Sequence, residues 1–173
     1  MIREYLQGRV LIIKLFKKSL CKNYKMKDLP ISEITLRKYE KPSAMDEREL
    51  ARKLCLSLGL LQPGDSRDVI VDILMVMMNA RKHGKELSIE EVRDESIVMR
   101  QKYHLDVRGV ADSNVRRQVK KLRDLLIVEK FKNSYRLSEF STLEKIFSEK
   151  IEKFYLATIV ERIKEYLKEL ETR

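Results

Sequence analysis

The sequence predicts a mainly α-helical protein carrying one small β-hairpin. Glycine and proline are scarce, five and three among 173 residues, too few for the many turns of a β-sandwich. Apolar residues return at steps of three and four along most of the chain, the period of amphipathic helices. One stretch breaks that period: Ile127-Val128-Glu129-Lys130-Phe131 and Tyr135-Arg136-Leu137 read as two short strands around the turn Lys132-Asn133-Ser134. With 43% hydrophobic residues the chain can bury one real core but hardly two large ones.

Residues 1–27 stand apart as a basic leader, with eight lysines and arginines against Glu4 alone. Its apolar run Val10-Leu11-Ile12-Ile13 is cut short by Lys14, too short and too charged for a membrane span and without a signal-peptide pattern. Three readings stay open: a basic helix packed on the body, an arm for phosphate or anionic lipid, or translated sequence upstream of a start at Met26. Residues 28–65 follow as an arm and a helix. The arm, 29–42, has prolines at its ends and reads as extended. The helix is capped by Ser43 or Asp46 and carries Leu50, Leu54 and Leu58 on one face. Gln62-Pro63-Gly64-Asp65 is a turn.

The next helix opens at Asp65 or Ser66 and closes with Arg81-Lys82-His83 before Gly84, charges and a glycine that suit the two helix ends. Residues 69–78 between them are apolar nearly all round, so this helix is expected at the centre. Glu86-Leu87-Ser88 reads as a short strand, and Ser88 with Glu91 as a capping box opening a helix to about Tyr103, with Ile89, Val92, Met99 and Tyr103 on its apolar face. After a loop containing Gly109, Asp112 or Ser113 caps a basic helix over 113–125. Val115, Val119, Leu122 and Leu126 form its apolar stripe; Arg117, Lys120 and Lys121 lie opposite, flanked by Asn114, Gln118, Arg116 and Arg123. Residues 141–173 form a last helix, opening with a second possible capping box at Ser141 and Glu144. Leu156, Ile159, Ile163, Tyr166 and Leu170 give it a seam over roughly two heptads, expected either to pack on its own core or to pair with a second copy.

The order of a central helix, a short strand, a second helix, a basic third helix and a hairpin resembles the winged helix-turn-helix superfamily, over about residues 66–138. The fold expected is thus a winged-helix core, domain 66–140, with additional N-terminal and C-terminal helices. In that superfamily the third helix enters the major groove and the hairpin touches the backbone beside it. The resemblance implies that Asn114, Arg117, Gln118 and Lys121 lie near base edges, and Arg116, Lys120, Lys130, Lys132 and Arg136 near phosphates. This chain departs from the pattern at Leu126, where many winged helices carry glycine, and its wing turn is short.

The net charge of +10 is concentrated in the leader; residues 28–173 carry 29 basic and 26 acidic residues. Phosphate contact depends on local charge, and residues 113–132 hold seven basic residues against Asp124 and Glu129. His83 and His104 are isolated, no nucleotide or zinc-protease motif occurs, and of Asp65, Asp68 and Asp72, which resemble a metal cluster, the first two read as helix-start caps, which leaves the metal reading second. No enzyme and no cofactor is therefore expected. Cys21 and Cys55, far apart and without metal spacing, read as reduced thiols of a cytoplasmic protein. The expectation is a transcription regulator that binds duplex DNA, a homodimer through 141–171 and not a membrane protein. The alternative is a winged-helix protein-interaction module without direct DNA contact, favoured by the near balance of charge after residue 27. RNA binding lacks stacking platforms, with only Phe131 and Tyr135 in the hairpin.

Overall fold

A computed structural model describes residues 29–173, so the expectations for the basic leader and for Cys21 lie outside the described residues. The arm is extended and is held by Arg37. Its backbone N–H donates to the Ser57 carbonyl at 2.8 Å, and its guanidinium donates to the Leu56 carbonyl and to Gln62 Oε1, both at 2.9 Å. A cation there sits against the carbonyl end of helix α1, Glu47–Ser57. Gly59 lets the arm lie close: its φ is +69°, and a Cβ on it would stand 2.7 Å from Thr35 Cβ.

Asp46 caps α1, accepting the Glu49 N–H at 2.7 Å. The buried face of α1 is Ala51, Cys55 and Leu56, continued by Leu58. The expected line of leucines is corrected here: Leu50 is 42% exposed and Leu54 only half-buried, because α1 meets the core through its smaller residues. Burial pushes the Cys55 thiol up to about 12, so it stays protonated and inert.

Helix α2, Val69–Lys82, runs through the centre. Every residue from Val69 to Met77 is buried, as its all-round apolar sequence predicts. His83 closes it, and Gly84 follows with φ +59°. Helix α3, Ile89–Lys102, opens on the capping box, with Ser88 Oγ accepting the Glu91 N–H and Glu91 Oε2 accepting the Ser88 N–H. Its deepest residues are Ile89, Val92, Ser96 and Arg100, whereas Met99 and Tyr103 lie half-buried at the flank. Helix α4, Asp112–Asp124, packs on α2 and α3. Strands β1, Val128–Phe131, and β2, Ser134–Leu137, form an antiparallel hairpin with Phe131 opposite Ser134. Leu87 adds one bridge beside β2: its N–H donates to the Tyr135 carbonyl at 2.9 Å and its carbonyl accepts the Tyr135 N–H at 2.7 Å.

The last helix begins after Thr142, whose hydroxyl accepts the Lys145 N–H; the cap expected at Ser141 falls one residue early. It runs as a short α segment α5, Leu143–Ile146, a π-helical segment, Phe147–Leu156, and helix α6, Ala157–Glu171. Ile146 and Ile151 are buried against the core, while α6 has no buried residue.

Asp68 stands at the N-cap position of α2 and Asp72 in its first turn, but Asp68 makes no side-chain cap bond, and both carboxylates turn to arginines instead. Among the described residues no group of carboxylates, histidines and cysteines is arranged to hold a metal. Asp72 has no exposure, and its carboxylate accepts from Arg48 Nε at 3.1 Å and Arg100 Nη1 at 2.5 Å. Asp68 accepts from Arg48 Nη2 at 2.9 Å and Arg100 Nη1 at 3.2 Å. Arg100 Nε reaches on to the Asp106 carbonyl at 2.6 Å, tying in the loop before α4. Burial pushes the Asp72 carboxyl above the usual aspartate range, against the opposing pull of Arg48 and Arg100.

Removing one side of such a cluster leaves the other uncompensated in a dry interior. Asp72→Ala should lower stability by about 3–5 kcal/mol. A urea melt would show this as a lower midpoint with little change in slope. A loss below about 1 kcal/mol, the range of surface pairs, would show the cluster to be incidental.

Candidate nucleic-acid interface

The surface of interest is built on α4. Val115, Val119 and Leu122 are at most 1% exposed and anchor the helix to the core. Its amino end has no side-chain cap. Ala111 is the N-cap residue, and the caps expected at Asp112 or Ser113 lie inside the helix. Asn114 holds that end instead: its Nδ2 donates to the Gly109 carbonyl at 2.6 Å, and its Oδ1 accepts from Arg117 Nη2 at 2.7 Å and Gln118 Nε2 at 3.1 Å. Asp112 accepts from Arg93 of α3 at 2.8 Å, a second fastening of the same end.

The carboxyl end closes through the bond pair that commonly terminates helices. The Leu126 N–H donates to the Arg123 carbonyl at 2.8 Å and the Ile127 N–H to the Leu122 carbonyl at 2.9 Å. Leu126 takes φ +61° there. The position at which the sequence departs from glycine is thus one whose backbone is left-handed, a conformation that costs a leucine about 1–2 kcal/mol. Ser138 supports it from the hairpin side, its hydroxyl donating to the Leu126 carbonyl at 2.6 Å.

The nine residues expected to contact nucleic acid separate into three groups. Arg116, Arg117, Lys120 and Lys121 on α4, with Lys130 and Lys132 on the hairpin, are exposed. Among them Arg116 pairs with Glu90 at 3.3 Å and Lys120 with Asp124 at 3.0 Å, both at the surface and weak in water. Among the described residues Arg117 is bound only by Asn114, Lys121 Nζ lies 3.5 Å from the Leu60 carbonyl, and Lys132 sits over the Phe131 ring at 5.5 Å. None of these three, nor Lys130, has a carboxylate partner among the described residues.

Gln118 forms the second group, because it is only 7% exposed and its amide is committed to Asn114. Placing it with the polar flank follows from its chemistry, but its position beside Val115 and Val119 turns it inward. Asn114 itself is half-buried and engaged on both ends of its amide. Arg136 is the third case. It donates to Glu129 at 2.7 Å and Glu86 at 2.9 Å and lies 4.8 Å from the ring centres of both Phe131 and Phe140. Its charge is matched twice over, and it braces the hairpin against the residue preceding Leu87. The contacts with Glu129 and Glu86 hold its guanidinium above the usual arginine range.

Sequence reasoning leaves Arg123 out of the site, yet it is exposed and without a carboxylate partner among the described residues. Its signal is the charge itself, on the helix flank. His83 and His104 are both surface residues, each following the end of a helix.

No protein-family model, curated protein or solved structure matches this chain. The residues themselves therefore have to carry the reading. Among the described residues no helix is long and apolar enough to cross a membrane.

Proposed function

We propose that this chain is a winged-helix protein that binds duplex DNA, with α4 in the major groove and the β1–β2 hairpin along the neighbouring backbone. The observation that carries this reading is the two-sidedness of α4. Its Val115, Val119 and Leu122 are fully buried, while Arg117, Lys121 and Arg123 face outward with no carboxylate partner among the described residues. At about 1.5 Å per residue its 13 residues span about 20 Å, a rod suited to a groove about 12 Å wide. The bridge from Leu87 to Tyr135 supports the winged-helix reading further, since it supplies the short first strand between α2 and α3.

The reading gives separate duties to the cations. Arg117 is the arginine best placed to reach base edges, because Asn114 steadies its guanidinium without neutralising it. Lys121, Arg123, Lys130 and Lys132 supply phosphate contact and a salt-dependent affinity. Arg116 and Lys120 exchange weak surface partners for phosphate. Gln118, Asn114 and Arg136 hold the platform and make no nucleic-acid contact.

A homodimer through residues 141–171 completes the proposal. Helix α6 has no buried residue, and Val160, Ile163, Leu167 and Leu170 are 40–73% exposed along it. Their spacing of three, four and three overlaps the seam read from the sequence and suits a paired helix. The same exposure favours the second reading, a protein-docking module whose partner covers α6.

Arg117→Ala with Lys121→Ala should weaken binding to random duplex and reduce the slope of log affinity against log salt by about 0.9, for the phosphate that Lys121 leaves unneutralised. Unchanged affinity in a gel shift would reject this face. A chain ending at Leu156 should be monomeric by light scattering while the full chain is dimeric. A monomeric full chain that retains a stoichiometric foreign partner and no DNA would support the docking module instead.

A further inference from the structure

A cavity of about 460 Å³ lies where the last helix crosses the core, away from the cationic face of α4. Its lining includes Leu58, Leu74 of α2, Ile127, Phe147 and Ile151, a predominantly apolar set within the size range of small-molecule sites. Two further lining residues are Glu144 and Glu152. Both are exposed, and neither has an ion-pair partner among the described residues. The lysines of the same helix are not in the lining, and Lys150 is turned to Glu139 at 2.8 Å. The cavity thus joins an apolar interior to a local negative charge, in a chain whose overall charge is +10.

The wall carrying those groups has an unusual backbone. Phe147, Ser148, Ile151 and Glu152 belong to the π-helical segment, Phe147–Leu156. Ten residues of π geometry are rare, and such widenings concentrate at functional sites. An α-helix could pack apolar residues on the core as well, so burial of Ile146 and Ile151 alone does not call for the widening.

We infer that this cavity binds a lipophilic organic cation, with its apolar body among Leu74, Ile127 and Phe147 and its charge beside Glu144 and Glu152. Neutral apolar molecules would leave the two carboxylates unused, and anions would be repelled by them. Two partly exposed ion pairs are enough to discriminate about tenfold between ions of opposite charge and like shape. This site does not depend on the DNA-binding proposal. Its occupant would nevertheless touch Ile127, whose N–H closes the carboxyl end of α4.

Tetraphenylphosphonium and tetraphenylborate test it, since they share a shape and differ in charge. Calorimetry on the full chain should find one phosphonium bound per chain, and the borate weaker by about tenfold or more. That order would run against the chain's overall positive charge, which attracts the borate. Glu144→Gln with Glu152→Gln, both at exposed positions, should leave the melting temperature unchanged and weaken the phosphonium about tenfold, removing the preference. Equal binding of the two ions, tighter binding of the borate, no binding of the phosphonium, or a double variant that binds it as well as the native chain would each overturn the assignment.

Discussion

One aspartate constrains the architecture more than any other residue. Asp72 lies in the first turn of α2 with no exposure, where an ionised carboxylate is tolerable only if its hydrogen bonds are met by cations. Arg48 from α1 and Arg100 from α3 meet them, and Asp68 shares both guanidinium groups. Hydrophobicity gives an all-round apolar helix little preference for one rotation about its axis over another. A buried charge removes that freedom, since only one rotation aims Asp72 at both arginines. The cluster therefore sets which face of α2 meets α1 and α3, and leaves another to receive α4. Through the Asp106 carbonyl, Arg100 also fixes the loop that delivers the chain to α4.

The character of α4 follows from that frame. Its valines and Leu122 are committed to α2, Asn114 and Asp112 fasten its first turn, and the Leu126 end is closed by two backbone bonds and Ser138. A helix held at both ends and along one side presents the rest of its surface as a rigid array. Rigidity matters for the proposed role, because side chains that must reach base edges gain discrimination only when their origin is fixed. The hairpin is braced by comparable means, with Arg136 clamped between two carboxylates and two aromatic rings. Helix α6 differs, since none of its residues is buried and its apolar side stands exposed.

Much of the fold is legible in the residues. The bounds of α2 at Gly84, the Ser88 capping box, the hairpin and the single-strand character of Leu87 all rest on local chemistry, which a sequence displays directly. What escapes such reading depends on partners distant in the chain. Asp68 and Asp72 do stand at the start of α2, but their pairing with Arg48 and Arg100 is not visible locally, although a carboxylate inside a run of apolar residues is itself a sign of a buried ion pair. Spacing alone points to the leucines of α1, but the core takes Ala51 and Cys55 and leaves Leu50 in solvent. Gln118 and Arg136 belong, by type, with the residues expected to touch nucleic acid. Burial beside the valine stripe decides the first, and two carboxylates across the hairpin decide the second. Local charge thus marks α4 and the hairpin as an array of cations, whereas the division between exposed and engaged residues comes only from packing.

The account turns on α4 being a free cationic surface that meets duplex DNA. An NMR titration of the labelled full chain with a short random duplex tests this residue by residue. The amide signals of 113–123 and of 130–133 should move together and saturate, with those of α1 and of the cavity wall at 147–152 unmoved. Shifts confined to residues outside α4 and the hairpin, or none at all at moderate salt, would contradict it.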